Sequence, residues 1–137
     1  MKVEKILRGR PIVPGYVKGR ALVSAKPISF LGEVDGETGV IVGVGHDLEG
    51  ESVKGKVLCF PSGHGSTVGS YVIYNLAKRG LGPAAIINKT ADPVVVVGAI
   101  IGEVPMIDKI DTAKIKTGDL VEVDAHKGVV KIFKERQ

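Results

Sequence analysis

The segment at residues 60–79, FPSGHGSTVGSYVIYNLAKR, places the strongest constraint on how this chain can fold. It begins at the end of an apolar run, Val57–Phe60, and continues into a stretch whose apolar residues recur every three or four positions. That order predicts a strand, a short loop rich in glycine and serine, and then an amphipathic helix. The side chains expected on the buried face of this helix are Val68, Tyr71, Val72 and Leu76.

Both ends of the predicted helix carry recognisable signals. Ser66 or Thr67 is placed to cap the N-terminus, because a hydroxyl oxygen there accepts a hydrogen bond from an unpaired N–H group. Lys78 and Arg79 fall in the last turn, where cations suit the helix dipole, and Gly80 supplies the stop. We therefore expect the N–H groups of the first turn to face back into the loop.

The loop itself has the composition of an anion-binding site. Gly63 and Gly65 permit positive φ and close approach of the backbone to a ligand, and hydroxyls stand beside them at Ser62 and Ser66. N–H groups and hydroxyls at a helix N-terminus suit a carboxylate or a phosphate. A tight strand-to-helix connection with good capping residues would explain the same pattern. The nucleotide motif GxxxxGK[ST] is absent, and GHGSTVG places its third glycine one residue too late for GxGxxG.

Length and composition indicate a single domain that spans residues 1–137. The most apolar run, residues 94–101, is too short and too interrupted by Gly98 to cross a bilayer, and the N-terminus lacks the apolar segment of a signal peptide. We therefore expect no membrane contact and a cytoplasmic location. A formal charge of +4 without a basic run gives little reason to expect nucleic-acid binding, but it suits an anionic metabolite or an acidic partner.

The single cysteine, Cys59, limits the metal chemistry of this chain. It excludes an internal disulfide and any metal or iron–sulfur site built from the chain's own thiolates. Apolar neighbours on both sides predict that the thiol is a small buried group. A second polar group, His46, Asp47 and Glu49, follows a predicted strand, and we expect a solvated turn there instead of a metal site.

The rest of the chain is predicted to consist mainly of short strands. Turn residues occupy 9–19, and a long loop with three acidic residues occupies 26–39. Residues 94–101 form either a strand or a helix that starts at Pro93, because periodicity does not separate the two. A hairpin with His126 at its tip ends the chain. The expected strands are residues 2–7, 20–25, 40–44, 57–60, 84–88, 104–107, 120–123 and 129–133.

Many short strands and one main helix indicate an α/β fold with a β-rich, barrel-like or sandwich core on which the helix packs. The pattern supports a ligand-binding or catalytic domain. It does not by itself specify a reaction.

Three motifs in order carry a more specific resemblance. They are FLGEVDGETGVI followed by HDLEG, then PSGHGSTVGSYVIYNL, then NKTADPVVVVGAIIGEVPMID. Together they resemble the small subunits of archaeal phosphomevalonate dehydratases, which belong to the aconitase X group. The small part of these enzymes is similar to the swivelling β/β/α domain of aconitase-type hydro-lyases. The resemblance extends over residues 9–123 and implies the same swivelling fold here.

The resemblance implies a role in a heterodimeric lyase of the archaeal route to isoprenoids. A large subunit would hold a [4Fe-4S] cluster and most of the pocket, and this chain would bind no cofactor or metal. The substrate would be mevalonate 5-phosphate, dehydrated to trans-anhydromevalonate 5-phosphate. The catalytic serine of the family maps onto Ser62, as the base that removes the proton next to the carboxylate. The residues expected to contact the substrate are Gly63, His64, Gly65, Ser66 and Thr67.

Some assignments and rival functions stay open at this point. Relatives are expected to have arginine or another long basic residue where this chain has His64, which donates to an anion when charged. Ser66 and Thr67 could serve as helix caps only, and Lys89 and Asp92 are expected in a surface turn. The rival functions are another aconitase X dehydratase, such as one for hydroxyproline, a phosphohistidine swivelling domain that uses His64, and a non-catalytic sensor of an anionic metabolite.

Overall fold

The computed structural model describes residues 1–135 as one mixed sheet with two ten-residue helices. The strands are β1 (Lys2–Arg8), β2 (Arg10–Val13), β3 (Tyr16–Val23), β4 (Val57–Phe60), β5 (Ala85–Asn88), β6 (Met106–Asp108), β7 (Leu120–Asp124) and β8 (Val129–Lys134). The helices are α1 (Phe30–Glu33), which is one irregular turn, α2 (Gly69–Lys78) and α3 (Pro93–Gly102).

The eight strands lie in the order β1-β8-β7-β3-β4-β5-β6-β2. The central strands β3, β4, β5 and β6 run parallel, and α2 and α3 provide the crossovers from β4 to β5 and from β5 to β6. Antiparallel strands extend the sheet on both sides. The expected mixed α/β fold is therefore confirmed, but the sheet is open, with β1 and β2 at its edges, and does not close into a barrel.

Strand β4 is buried on both faces, which explains its continuous apolar sequence. Leu58 and Phe60 point into a core that includes the helices, whereas Val57 and Cys59 point into a second core against β7 and β8. Because successive side chains on a strand face opposite sides, each core receives alternate residues of β4. This double burial fixes the end of β4, and with it the start of the serine-containing loop.

Helices α2 and α3 pack closely because glycine stands at their contact. A Cβ atom on Gly98 would lie 2.7 Å from Cδ1 of Ile73, and one on Gly69 would lie 3.0 Å from Cγ1 of Val94. The Ser70 hydroxyl adds a hydrogen bond across this contact, to the backbone oxygen of Val94 at 2.6 Å. The contact therefore joins the helix that follows the loop to the helix that follows β5.

The predictions about α2 are wrong in two respects. Ile73 and Leu76 form its buried face with Gly69 and Ser70, while Val68 and Tyr71 are exposed. The helix begins at Gly69 after an N-cap at Val68, so neither serine nor threonine caps it through its side chain. Leu76 is buried as predicted, and Val72 is half-buried against the same core. The stop at Gly80 is confirmed by its φ of 72°.

Other predictions are corrected by the structure. Residues 40–44 do not form an interior strand; they make isolated bridges, and Val44 is 95% exposed. Residues 9–19 contain β2 and the start of β3 around a turn at Pro14 and Gly15.

Residues 94–101 are helical, and Asp92 caps that helix by accepting a hydrogen bond from Val95 N at 3.0 Å. The His46 side chain is buried, not solvated.

Candidate functional site

The serine-containing loop lies at the carboxyl end of β4 and is held on two sides. On one side, Ile28 N donates to Ser62 O and His64 N donates to Ile28 O, each at 3.2 Å. On the other side, the N–H groups of Lys89 and Thr90 both donate to Pro61 O at 3.0 Å. These bonds hold the half-buried Ser62 between an isolated bridge at Ile28 and the residues that follow β5.

Beyond Ser62, the loop presents consecutive amides that are free to bind a ligand. Among residues 1–135, the N–H groups of Gly65, Ser66 and Thr67 donate no hydrogen bond, and all three residues are exposed. The next amides are occupied, because Gly69 N donates to Ser66 O at 2.9 Å and Ser70 N to Thr67 O at 3.2 Å. The donors available to an anion are therefore those of the loop, and not those of the first turn of α2.

Two glycines of the loop occupy positions that a larger residue would not fit. A Cβ atom on Gly63 would overlap Cγ2 of Val95 and lie 2.6 Å from Oδ1 of Asp92. Gly65 has a φ of 91°, and a Cβ atom there would overlap the Ser29 hydroxyl. Asp92, expected in a surface turn, thus lies directly against the loop, where it also caps α3. At both positions, glycine is the one residue that fits without displacing these neighbours.

Glu33 is a neighbour of the loop that the sequence did not indicate. His64 Nε2 lies 3.7 Å from Glu33 Oε1, which also accepts a hydrogen bond from Ser29 N at 2.8 Å. The backbone oxygen of Glu33 accepts from Val42 N and Gly43 N. Glu33 therefore anchors residues 40–44 and, when His64 is protonated, forms an ion pair with it. The only sequence signal was that this acidic residue stood in a long loop.

A buried carboxylate supports the segment that faces the loop. Asp108 accepts two hydrogen bonds from Arg10, at 2.9 and 2.8 Å, and one from Ala91 N at 3.1 Å. Burial alone would raise the pKa of Asp108, but these hydrogen bonds and the Arg10 charge outweigh it and hold that pKa below its ordinary value. The ionised carboxylate thereby fixes residues 88–92 next to Ser62.

The chain's own side chains do not fit an iron–sulfur cluster. Cys59 supplies the one thiol, it is fully buried, and burial raises its pKa far above the ordinary value, so it stays protonated. Within residues 1–135, no three His, Cys, Asp or Glu side chains come together in a way that could hold a metal ion. A cluster therefore has no ligands in this part of the chain.

The structure brings together all the residues that were predicted to form the site. Ser62, Gly63, His64, Gly65, Ser66 and Thr67 occupy one continuous loop between β4 and α2. Their catalytic and substrate-binding roles remain predictions.

No helix within residues 1–135 is long and apolar enough to cross a membrane.

Comparison with known proteins gives matches over nearly the whole chain. The family model described as the aconitase X swivel domain matches residues 6–132. The phosphomevalonate dehydratase small subunit of Thermococcus sibiricus is 56% identical over 126 residues, which are 92% of this chain and 97% of that protein. The protein of the same name from Methanocaldococcus jannaschii is 56% identical over 127 residues, 93% of this chain and 97% of that protein.

Solved structures show the same fold. The crystal structure of holo aconitase X from Thermococcus kodakaraensis superposes with a TM-score of 0.93 at 51% identity, and the match covers 95% of this chain and 99% of that chain. The solution NMR structure of a UPF0107 protein superposes with a TM-score of 0.85 at 43% identity, covering 95% of this chain and all of that one.

Proposed function

The chain belongs to the aconitase X swivel-domain family, and we propose that it is the small subunit of a phosphomevalonate dehydratase. Such an enzyme is a hydro-lyase that removes water from mevalonate 5-phosphate to give trans-anhydromevalonate 5-phosphate. The observation that carries this conclusion is 56% identity to small subunits of that name over nearly the full length of both chains. The same observation favours this function over a hydroxyproline dehydratase and over a phosphohistidine domain.

The name of these relatives implies that a large subunit is the partner of this chain. We place any iron–sulfur cluster in that large subunit, because Cys59 is the chain's one thiol and is buried and protonated. The small subunit on its own is then inactive. Its contribution is the loop at residues 62–67 and the surfaces around it.

We assign proton removal to Ser62. Its Oγ takes the proton from the carbon between the carboxylate and the carbinol, the C–H electron pair forms the new double bond, and the hydroxyl departs from the next carbon. A group of the large subunit protonates that hydroxyl to give water. Serine is a poor base unless its alkoxide is stabilised, so the reaction needs oriented donors around the serine and the substrate.

The loop offers those donors. The unpaired amides of Gly65, Ser66 and Thr67 are suited to bind the substrate carboxylate, since consecutive backbone N–H groups form an anion-binding concavity. His64 adds a positive charge when it is protonated, in place of the longer basic residue expected in relatives. Glu33 Oε1 lies 3.7 Å from His64 Nε2 and forms an ion pair with that charge.

The proposed function is tested with the complex of both subunits, assembled under anaerobic conditions. Dehydration of mevalonate 5-phosphate is expected, and hydroxyproline should not be turned over. A complex that is active on hydroxyproline and inactive on mevalonate 5-phosphate would instead make the chain part of a different aconitase X dehydratase. Acid-labile phosphate on His64 after incubation with a phosphoryl donor would support the phosphotransfer alternative.

A further inference from the structure

A cavity of about 570 Å³ opens beside the serine-containing loop. Part of its lining comes from the carboxyl ends of β3, β4 and β5 and the residues that follow them, among them Pro61 and Lys89. Further lining residues, among them Thr112 and Lys116, come from the connection between β6 and β7. Pro61 immediately precedes Ser62, so the cavity begins one residue from the proposed base.

Three side-chain donors that line this cavity remain free. Within residues 1–135, the ammonium groups of Lys89 and Lys116 form no ion pair or hydrogen bond, and the Thr112 hydroxyl is also unpaired. The two lysines come from different segments of the lining, one after β5 and one between β6 and β7. A ligand that accepts hydrogen bonds and carries negative charge would meet both of them.

Of the two carboxylates that line the cavity, Asp47 is engaged through both oxygens and Asp111 through one. Asp47 accepts from the Ser24 hydroxyl at 2.7 Å and from Ala25 N at 2.8 Å. Asp111 accepts from Ala113 N at 3.2 Å. These carboxylates hold the walls in place, whereas the lysine side chains remain available.

The position of the lysines relative to Ser62 matches the shape of the proposed substrate. Five bonds separate the carbon that loses its proton from the phosphorus of mevalonate 5-phosphate, as many as separate Cα from Nζ in lysine. Lys89 N already donates to Pro61 O at 3.0 Å, so the Lys89 backbone lies beside the base. Its side chain is thus long enough to reach a phosphate whose reacting carbon is at Ser62.

We propose that this cavity binds the phosphate group of the substrate through Lys89 and Lys116, while the amides of residues 65–67 bind the carboxylate. The proposal rests on the proposed function. It makes Lys89 and Lys116 the residues that distinguish a phosphorylated hydroxy acid from its unphosphorylated counterpart. Lysine suits this role because its ammonium group is a compact charge that binds phosphate oxygens.

The test compares two substrates in the complex of both subunits. Lys89→Gln, Lys116→Gln and the double variant are each assayed with mevalonate 5-phosphate and with mevalonate, which lacks the phosphate. Each single variant is expected to lose about ten- to hundredfold in kcat/KM for mevalonate 5-phosphate, chiefly through KM. The value for mevalonate should not change. Lys89→Arg should restore most of the loss, and competitive inhibition by inorganic phosphate should weaken in parallel with KM.

Lys54→Gln is the matched control. Lys54 is exposed and lies before the amino end of β4, in the lining of a separate cavity, so the kinetics of Lys54→Gln should equal those of the wild type.

Equal losses of kcat/KM on both substrates in Lys89→Gln would show a role in loop structure and overturn the proposal. Unchanged kinetics and phosphate inhibition would overturn it as well. A wild-type complex inert on mevalonate 5-phosphate would count against the proposed function instead, and phosphate binding to the wild type but not to Lys89→Gln would still support the subsite.

Discussion

The side-chain amide of Asn88 donates from Nδ2 to the backbone oxygen of Phe60 at 3.0 Å, at the last residue pair of β4 and β5. Asn88 is fully buried, and its Oδ1 is the one buried side-chain N or O atom in residues 1–135 that lacks a hydrogen-bond partner. A buried polar group of this kind is costly. The Nδ2 hydrogen bond joins the ends of β4 and β5 next to the serine-containing loop.

Removing this amide should destabilise the subunit. Asn88→Ala leaves the Phe60 oxygen without its side-chain donor, and we expect the free energy of unfolding to fall by about 1–3 kcal/mol in urea denaturation. Asn75→Ala is the control, because Asn75 is exposed on α2; it should change stability by less than about 0.5 kcal/mol. Equal stability of Asn88→Ala and wild type would mean that the amide does not support the end of β4.

Enlarging Gly63 should misplace the serine. In Gly63→Ala the new methyl group collides with Val95 and approaches Asp92 Oδ1 at 2.6 Å, so the loop has to move. We expect the assembled complex to lose about ten- to hundredfold in kcat, because small displacements of a reacting group have large effects on rate.

Gly36→Ala provides the comparison for that variant. Gly36 also lies in a loop, but a Cβ atom there meets Val72 only at an ordinary 3.9 Å. Its kcat should match that of the wild type. Wild-type kcat in Gly63→Ala would show that the loop accommodates a side chain at this position.

The Arg10–Asp108 pair should make stability depend on pH in acid. Since the pKa of Asp108 is lower in the folded chain than its ordinary value, its contribution to stability is complete above the ordinary aspartate pKa of about 4. The contribution is lost as the pH falls through the folded value. Asp108→Asn should therefore lower Tm at neutral pH, and the difference from wild type should shrink as the solution is acidified.

A thermal melt series from about pH 7 to about pH 3 measures this difference. Asp35→Asn serves as the reference, because Asp35 accepts from Glu37 N but pairs with no arginine among residues 1–135. If the gap between wild type and Asp108→Asn stayed constant with pH, the carboxylate charge would not be the source of its stabilising effect.

Local sequence signals predicted the elements whose environment follows from their own residues. The apolar run of β4, the hairpin of β7 and β8, and the helix stop at Gly80 are all observed. The residue pattern also placed the serine-containing loop between a strand and a helix, and the resemblance implied the swivelling fold. Each of these depends on short-range pattern or on a motif of the family.

The predictions that were wrong or missing concern segments whose conformation depends on what packs against them. The β-branched residues 40–44 predicted an interior strand, yet no neighbouring strand pairs with them continuously, and Val44 is 95% exposed. On α2, the contact with α3 buries Gly69 and Ser70, two small residues that a pattern of apolar side chains does not select. The site neighbours Glu33, Asp92 and Lys89 come from distant segments, so only the folded chain shows that they meet at the loop.

Replacing the Ser62 hydroxyl tests most directly whether Ser62 removes the substrate proton. The complex that carries Ser62→Ala is compared with the wild-type complex in anaerobic dehydration of mevalonate 5-phosphate, after subunit association has been shown to be equal. We predict a fall in kcat of about 10²–10⁴-fold, the usual contribution of a positioned general base. A Ser62→Ala complex that assembles and turns over at the wild-type rate would show that Ser62 is not the base and would place the proton acceptor in the large subunit.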